Sequence, residues 1–147
     1  MAPTQDPVVR INELIKGIEF AMLTTIRPDG SLHSCPMATQ PVDRDGVVWF
    51  FSGNNTEKVE AIKTDARVNL AYSDAGGQRY VSITGHAELL RDHVKAKELW
   101  NPLYQTWFPK GIEDPNLILL KIHIQEAEYW DGAAGRMTRL PGFAKQP

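Results

Sequence analysis

Thiols are almost absent from this chain: Cys35 is its only cysteine. That excludes an intrachain disulfide and any multi-thiolate metal site. Nor does any apolar run approach the length of a membrane span. Lysine and arginine are scattered and the net charge is −2, which argues against nucleic acid as the main partner, because such binding needs a basic patch or stripe. The 4 histidines show neither H-x-x-x-H nor H-x-H spacing, so no metal site is expected. Without a G-x-S-x-G elbow or a Ser-His-Asp order, acyl transfer is not expected either. The first 17 residues, MAPTQDPVVRINELIKG, carry no apolar core of a secretory signal, and a cytoplasmic location is the default reading. Cys35 sits beside Pro36 with no charged neighbour in sequence to lower its pKa, so a packed, inert thiol is expected.

What is present describes an ordinary globular chain. Its 147 residues, 42% hydrophobic and 23% charged, suit a single domain spanning residues 1–147 that buries most of its apolar surface. Residues 7–18 place Val8, Ile11, Leu14, Ile15 and Ile18 at helical spacing, with Asp6 as N-cap before Pro7, and 1–18 forms an N-terminal helical segment. From Phe20 the pattern turns to strands. FAMLTTI, the turn Arg27-Pro28-Asp29-Gly30 and SLHSCPMATQ form a hairpin, with Pro36 requiring an edge position or a bulge. VVWFFS gives a third strand. EKVEAIKTD reads as a short helix in which Asn54 and Glu57 fit a capping arrangement.

A fourth strand (67–72) and a fifth, RYVSITGHAELL, show period-two alternation, and Gly85 within the fifth marks a bulge or bend. A helix from Asp92 to about Trp100 and a broken stretch over 101–115 precede a last strand over 116–130. The tail, 131–147, is punctuated by glycine and proline and is expected to be only partly ordered. The sum is a mainly β, six-stranded antiparallel barrel with a few short flanking helices.

Ser52, Thr56 and Lys58 straddle the start of the predicted second helix. A helix N-terminus offers unsatisfied N–H groups and partial positive charge, and two hydroxyls and an ammonium complete a phosphate cradle. Capping and a solvated lysine account for the same residues, so residue chemistry alone leaves both readings open.

The run Ser52-x-x-x-Thr56-x-Lys58 after Trp49-Phe50-Phe51 is similar to the T-x-x-x-S-x-K phosphate-binding stretch of the flavin-binding split barrels. The hairpin Phe20-Ala21-Met22-Leu23-Thr24-Thr25, Asp29-Gly30 and His33-Ser34-Cys35-Pro36-Met37 resembles the same family's pattern, as do Asp65-Ala66-Arg67-Val68 and the stretch from Ser82 to Glu88. In its order of motifs, over about residues 15–130, the chain resembles the general-stress-protein branch of the pyridoxamine 5′-phosphate oxidase-like split barrels.

The resemblance implies a homodimer with flavin mononucleotide (FMN), or flavin adenine dinucleotide (FAD), at the subunit interface. It implies phosphate at Ser52, Thr56 and Lys58, with His33 where the family often has an arginine. It places the ring along Pro36, Met37, Ala38, Trp49, Phe50 and Phe51. Trp107 and Trp130 are candidates for covering that ring, or else plain core. Arg136-Met137-Thr138-Arg139 lacks the histidine of the Arg-x-His element that holds pyridoxamine phosphate, so that oxidation is disfavoured.

The expected activity is a flavin-dependent oxidoreduction using a nicotinamide or another small-molecule donor. No side chain stands out as an acid or base, and no catalytic residue is assigned. The rival readings are a flavin-binding stress protein that sequesters or senses without turnover, and a deazaflavin- or haem-binding relative. The phosphate cradle leans against haem.

Overall fold

A computed structural model describes residues 6–143. One antiparallel sheet dominates. Its strands are β1 (Phe20–Ile26), β2 (Leu32–Ala38), β3 (Val47–Gly53), β4 (Arg67–Asp74), β5 (Arg79–Leu90), β6 (Leu117–Asp131) and β7 (Arg136–Leu140). The order is β2-β1-β4-β5-β6-β3, with β7 also paired to β6. Helices α1 (Pro7–Ile15), α2 (Glu57–Thr64) and α3 (His93–Leu99) flank it. The mainly β antiparallel architecture is the expected one, with a seventh strand where the tail was expected to be only partly ordered. Asp131 builds that turn by accepting from the N–H groups of Ala133 and Ala134, and Gly135 takes φ +67°. Residues 144–147 of the tail lie outside the described residues.

Alternation makes the core. Val68, Leu70 and Tyr72 of β4, Val81 and Ile83 of β5, and Ile118, Leu120 and Ile122 of β6 all pack in one buried cluster. A bulge between Thr84 and Gly85 resets the β5–β6 register, pairing Thr84 with Glu126 but Gly85 with Ile124. It reverses the phase of β6: even-numbered residues point inward up to Ile124, and odd-numbered Ala127 does so beyond it.

Helix ends are set by specific groups. Asp6 caps α1, accepting from Val8 N–H at 2.8 Å. α1 stops at Ile15 rather than reaching 18, because Gly17 turns the chain at φ +82°. The Arg79 guanidinium then donates to the carbonyls of Leu14 and Lys16 at 2.9 and 2.7 Å. α3 falls within the expected 92–100 span, with Asp92 as its N-cap, and the 101–115 stretch holds two 3-10 turns, Pro102–Thr106 and Gly111–Glu113. The capping expected of Asn54 and Glu57 is not formed. Thr56 is the N-cap of α2 without a side-chain cap bond, and Glu57 Oε1 instead accepts from Arg27 Nε at 2.6 Å. Pro36 occupies β2, which has a neighbour on one side only. Among the described residues, no helix is long and apolar enough to cross a membrane.

One ion pair makes a pH prediction. Arg67 donates to both oxygens of Asp65, at 3.0 and 2.7 Å, and holds its carboxyl at about 2 against an ordinary 3.8. A depressed carboxyl pKa stabilises the fold above the unfolded value and is lost as pH falls through the folded one. Stability is therefore expected to fall between pH 3.8 and about 2, with Asp65→Asn flattening that limb in urea midpoints measured at each pH.

Candidate functional site

The strands β2 and β3 end the sheet path, and the wall between them opens as a cavity of about 540 Å³, within the roughly 300–1,000 Å³ range of small-molecule sites. β2 pairs with β1 only, and β3 with β6 only apart from the single bridge between Val42 and Val48 near its start, so further along the split backbone N–H and C=O groups remain free for a ligand. Pro36, Met37 and Ala38 line it from β2, and Phe50, Phe51 and Ser52 from β3. Thr56 and Lys58 line it from the start of α2, and Trp107 from the segment between α3 and β6. Nine of the residues expected at the site therefore meet in one cavity.

Three do not. His33 lies further along β2, its Nε2 3.6 Å from Glu57 Oε2. Trp49 gives its indole N–H to Asp43 Oδ2 at 3.0 Å, and the ammonium groups of Lys95 and Lys121 lie 5.0 and 5.3 Å from its ring centroid. Trp130 sits at the β6–β7 hairpin, past the bulge that reverses the phase of β6, 36% exposed. It does not join the lining of the cavity.

The polar end of the cavity is built by local backbone geometry. Ser52 is buried, and its Oγ lies 3.3 Å from Thr56 Oγ1. Both hydroxyls donate to the Gly53 carbonyl, at 3.1 and 3.0 Å. A phosphate oxygen would offer them a charged and stronger acceptor. Gly53 keeps this corner open, since a Cβ there would lie 2.9 Å from Asn116 Nδ2. The first-turn N–H groups of α2 have no side-chain cap, which leaves them free for an anion. Lys58 is half-buried, and no carboxylate among the described residues pairs with it. Burial raises the Cys35 thiol pKa, the nearby Lys58 charge opposes the rise and Glu57 adds to it, which fits the inert thiol expected.

The remaining lining is Phe20, Gln40, Gly53, Asn55, Tyr104, Phe108 and Asn116. Gln40 and Asn116, expected at strand ends, lie just outside β2 and β6, and Tyr104 comes from the 3-10 turn Pro102–Thr106 in the stretch expected to be broken. Lys58 and Tyr104 are the only ionisable side chains in the lining. Such a wall can bind and orient a planar anionic molecule, but it offers no carboxylate or histidine for acid–base work.

Comparison with known proteins agrees with this architecture. The structure of a Clostridium acetobutylicum protein related to general stress protein 26 superposes with a TM-score of 0.77 at 21% identity, covering 92% of this chain and 97% of the other. The general stress FMN/FAD binding protein of Xanthomonas citri is 28% identical, with a TM-score of 0.70 and coverage of 94% and 95%. Protein bli-3 of Neurospora crassa is 22% identical over 137 residues, 86% of this chain but only 66% of that protein. A family model described as pyridoxamine 5′-phosphate oxidase like matches residues 6–146. With the split sheet, the edge-strand cavity and this match in agreement, the chain belongs to the pyridoxamine 5′-phosphate oxidase-like family.

Proposed function

We propose that the chain binds FMN in the β2–β3 split and acts as a flavin-dependent oxidoreductase. The observation that carries this reading is the continuity of one cavity. A hydroxyl-and-ammonium corner at the uncapped start of α2 opens directly onto an aromatic and apolar slot. The corner suits a terminal phosphate, held by Ser52, Thr56 and Lys58, and the slot suits a planar ring lying along Pro36, Met37, Ala38, Phe50 and Phe51. When bound, the flavin supplies the electron-accepting ring. The protein binds it, orients it and limits its contact with water.

A second copy of the chain completes the site in this reading. Phe20, Met22 and Trp107 are 53%, 41% and 68% exposed on or near the rim, an amount of apolar surface that a partner would cover. Trp130, 36% exposed in the β6–β7 hairpin, belongs in this reading to the surface that a second copy would cover. A non-catalytic, flavin-holding role is the second reading, favoured by the lack of carboxylate or histidine in the lining.

The test is an absorbance spectrum of purified protein after incubation with FMN and desalting, followed by anaerobic addition of reduced nicotinamide. Retained flavin bands that bleach with donor and recover in air support the oxidoreductase. Retained bands that no donor bleaches favour the holding role, and a colourless protein removes both. Light scattering is expected to give twice the chain mass, and a monomer would overturn the shared site.

A further inference from the structure

The cavity has a second polar feature besides the corner at Ser52, Thr56 and Lys58. Gln40 lies just past the end of β2 at Ala38. There the Gln40 side-chain amide donates from Nε2 to Tyr104 Oη at 2.9 Å. An amide nitrogen can only donate, so the phenol oxygen is the acceptor of this bond. The phenol's own proton has no acceptor among the described residues, and the side chain lines the cavity.

The ring that carries this hydroxyl is held firmly. Phe51 packs against Tyr104 at 5.1 Å and 55°, and Trp100 meets it at 5.7 Å and 80°. Phe51 and Trp100 also meet edge to face at 5.6 Å. The backbone beneath is fixed by Asn101, whose carbonyl accepts from Tyr104 N–H and whose side chain accepts from Leu103 N–H, each at 2.9 Å. A half-buried hydroxyl donor, preset before any ligand arrives, contributes affinity because little ordering remains to be done on binding.

We infer that Tyr104, oriented by Gln40, donates a hydrogen bond to an acceptor on the edge of the planar ring that occupies this cavity. The inference rests on the flavin reading and deepens it. Tyr104 selects a heteroaromatic ring with a carbonyl oxygen or an imine-type nitrogen on that edge, while Lys58 selects the phosphate. Gln40 acts through Tyr104 as a positioning residue.

The experiment titrates FMN and riboflavin, which lacks the phosphate, into wild type, Tyr104→Phe, Gln40→Ala and the double variant, read by flavin fluorescence and visible absorption. Phenylalanine keeps the three-ring packing and removes only the hydroxyl. Tyr104→Phe is expected to weaken both flavins by the same factor, roughly three- to tenfold, and to shift the visible band of the bound ring. Gln40→Ala is expected to weaken binding alone but to add nothing in the Tyr104→Phe background. Wild-type affinity and spectrum in Tyr104→Phe would overturn this inference and leave the flavin reading standing. A full additional loss in the double variant would overturn the positioning role. A wild-type protein that binds neither flavin removes both readings together.

Discussion

Gly85→Ala is expected to lower the melting temperature by roughly 10 °C, about 3 kcal/mol at the few degrees per kcal/mol usual for this size. Gly85 lies at the register shift between β5 and β6, where the strands pass so closely that a Cβ would stand 2.2 Å from the His123 carbonyl oxygen and 3.1 Å from its carbon. Backbone, not a flexible side chain, is what the new methyl would meet. Relief requires the two longest strands to part beside buried Ile122 and Ile124. The contrast is Gly30→Ala. Gly30 has φ +88° with nothing within 4 Å of the added carbon, so only the left-handed backbone penalises it, by roughly 1–2 kcal/mol. Calorimetric melts of the two variants separate a close-approach glycine from a turn glycine. Equal, small shifts would show that the bulge relaxes without cost.

Lys58→Ala is expected to weaken FMN binding roughly 10- to 150-fold, the range for removing a hydrogen bond to a charged group, while leaving the melting temperature of the free protein nearly unchanged. The side chain has no ion-pair partner among the described residues to be orphaned by its removal. Its first-turn place in α2 suits alanine, the best helix former. Val59 and Ile62 supply the buried side of that helix and are untouched. The same substitution is expected to leave riboflavin affinity where it was, because the contact is to phosphate alone. Equilibrium fluorescence titration reads both ligands, and a variant that loses riboflavin equally would point to a collapsed pocket instead of a lost phosphate contact.

Much of the fold is legible in the sequence. Alternation in β4 and β5 and turn chemistry at Asp29-Gly30 place the strands, because period two and positive-φ glycine are local properties that a sequence displays. The grouping of Ser52, Thr56 and Lys58 was legible for the same reason: they lie within 7 residues of one another, and local structure alone brings them together. Trp49 was misplaced. A run of three aromatics looks uniform, whereas Asp43 and two lysines from α3 and β6 draw the indole out of the cavity. The helix cap failed similarly, since Glu57 finds a stronger partner in Arg27, which is 30 residues away and invisible to a local rule. β7 was hidden because its five residues, RMTRL, alternate weakly and pair only with the end of β6. Gln40 and Tyr104, 64 residues apart, meet only through the folding of the sheet.

In the function proposed above, one cavity holds a flavin by its terminal phosphate at Ser52, Thr56 and Lys58. The most direct test is a calorimetric titration of FMN and of riboflavin into the wild-type protein under identical conditions. FMN is expected to bind roughly 100-fold more tightly, the share expected of a charge-assisted phosphate site at a helix N-terminus. Equal affinities for the two ligands, or no binding of FMN, would contradict it.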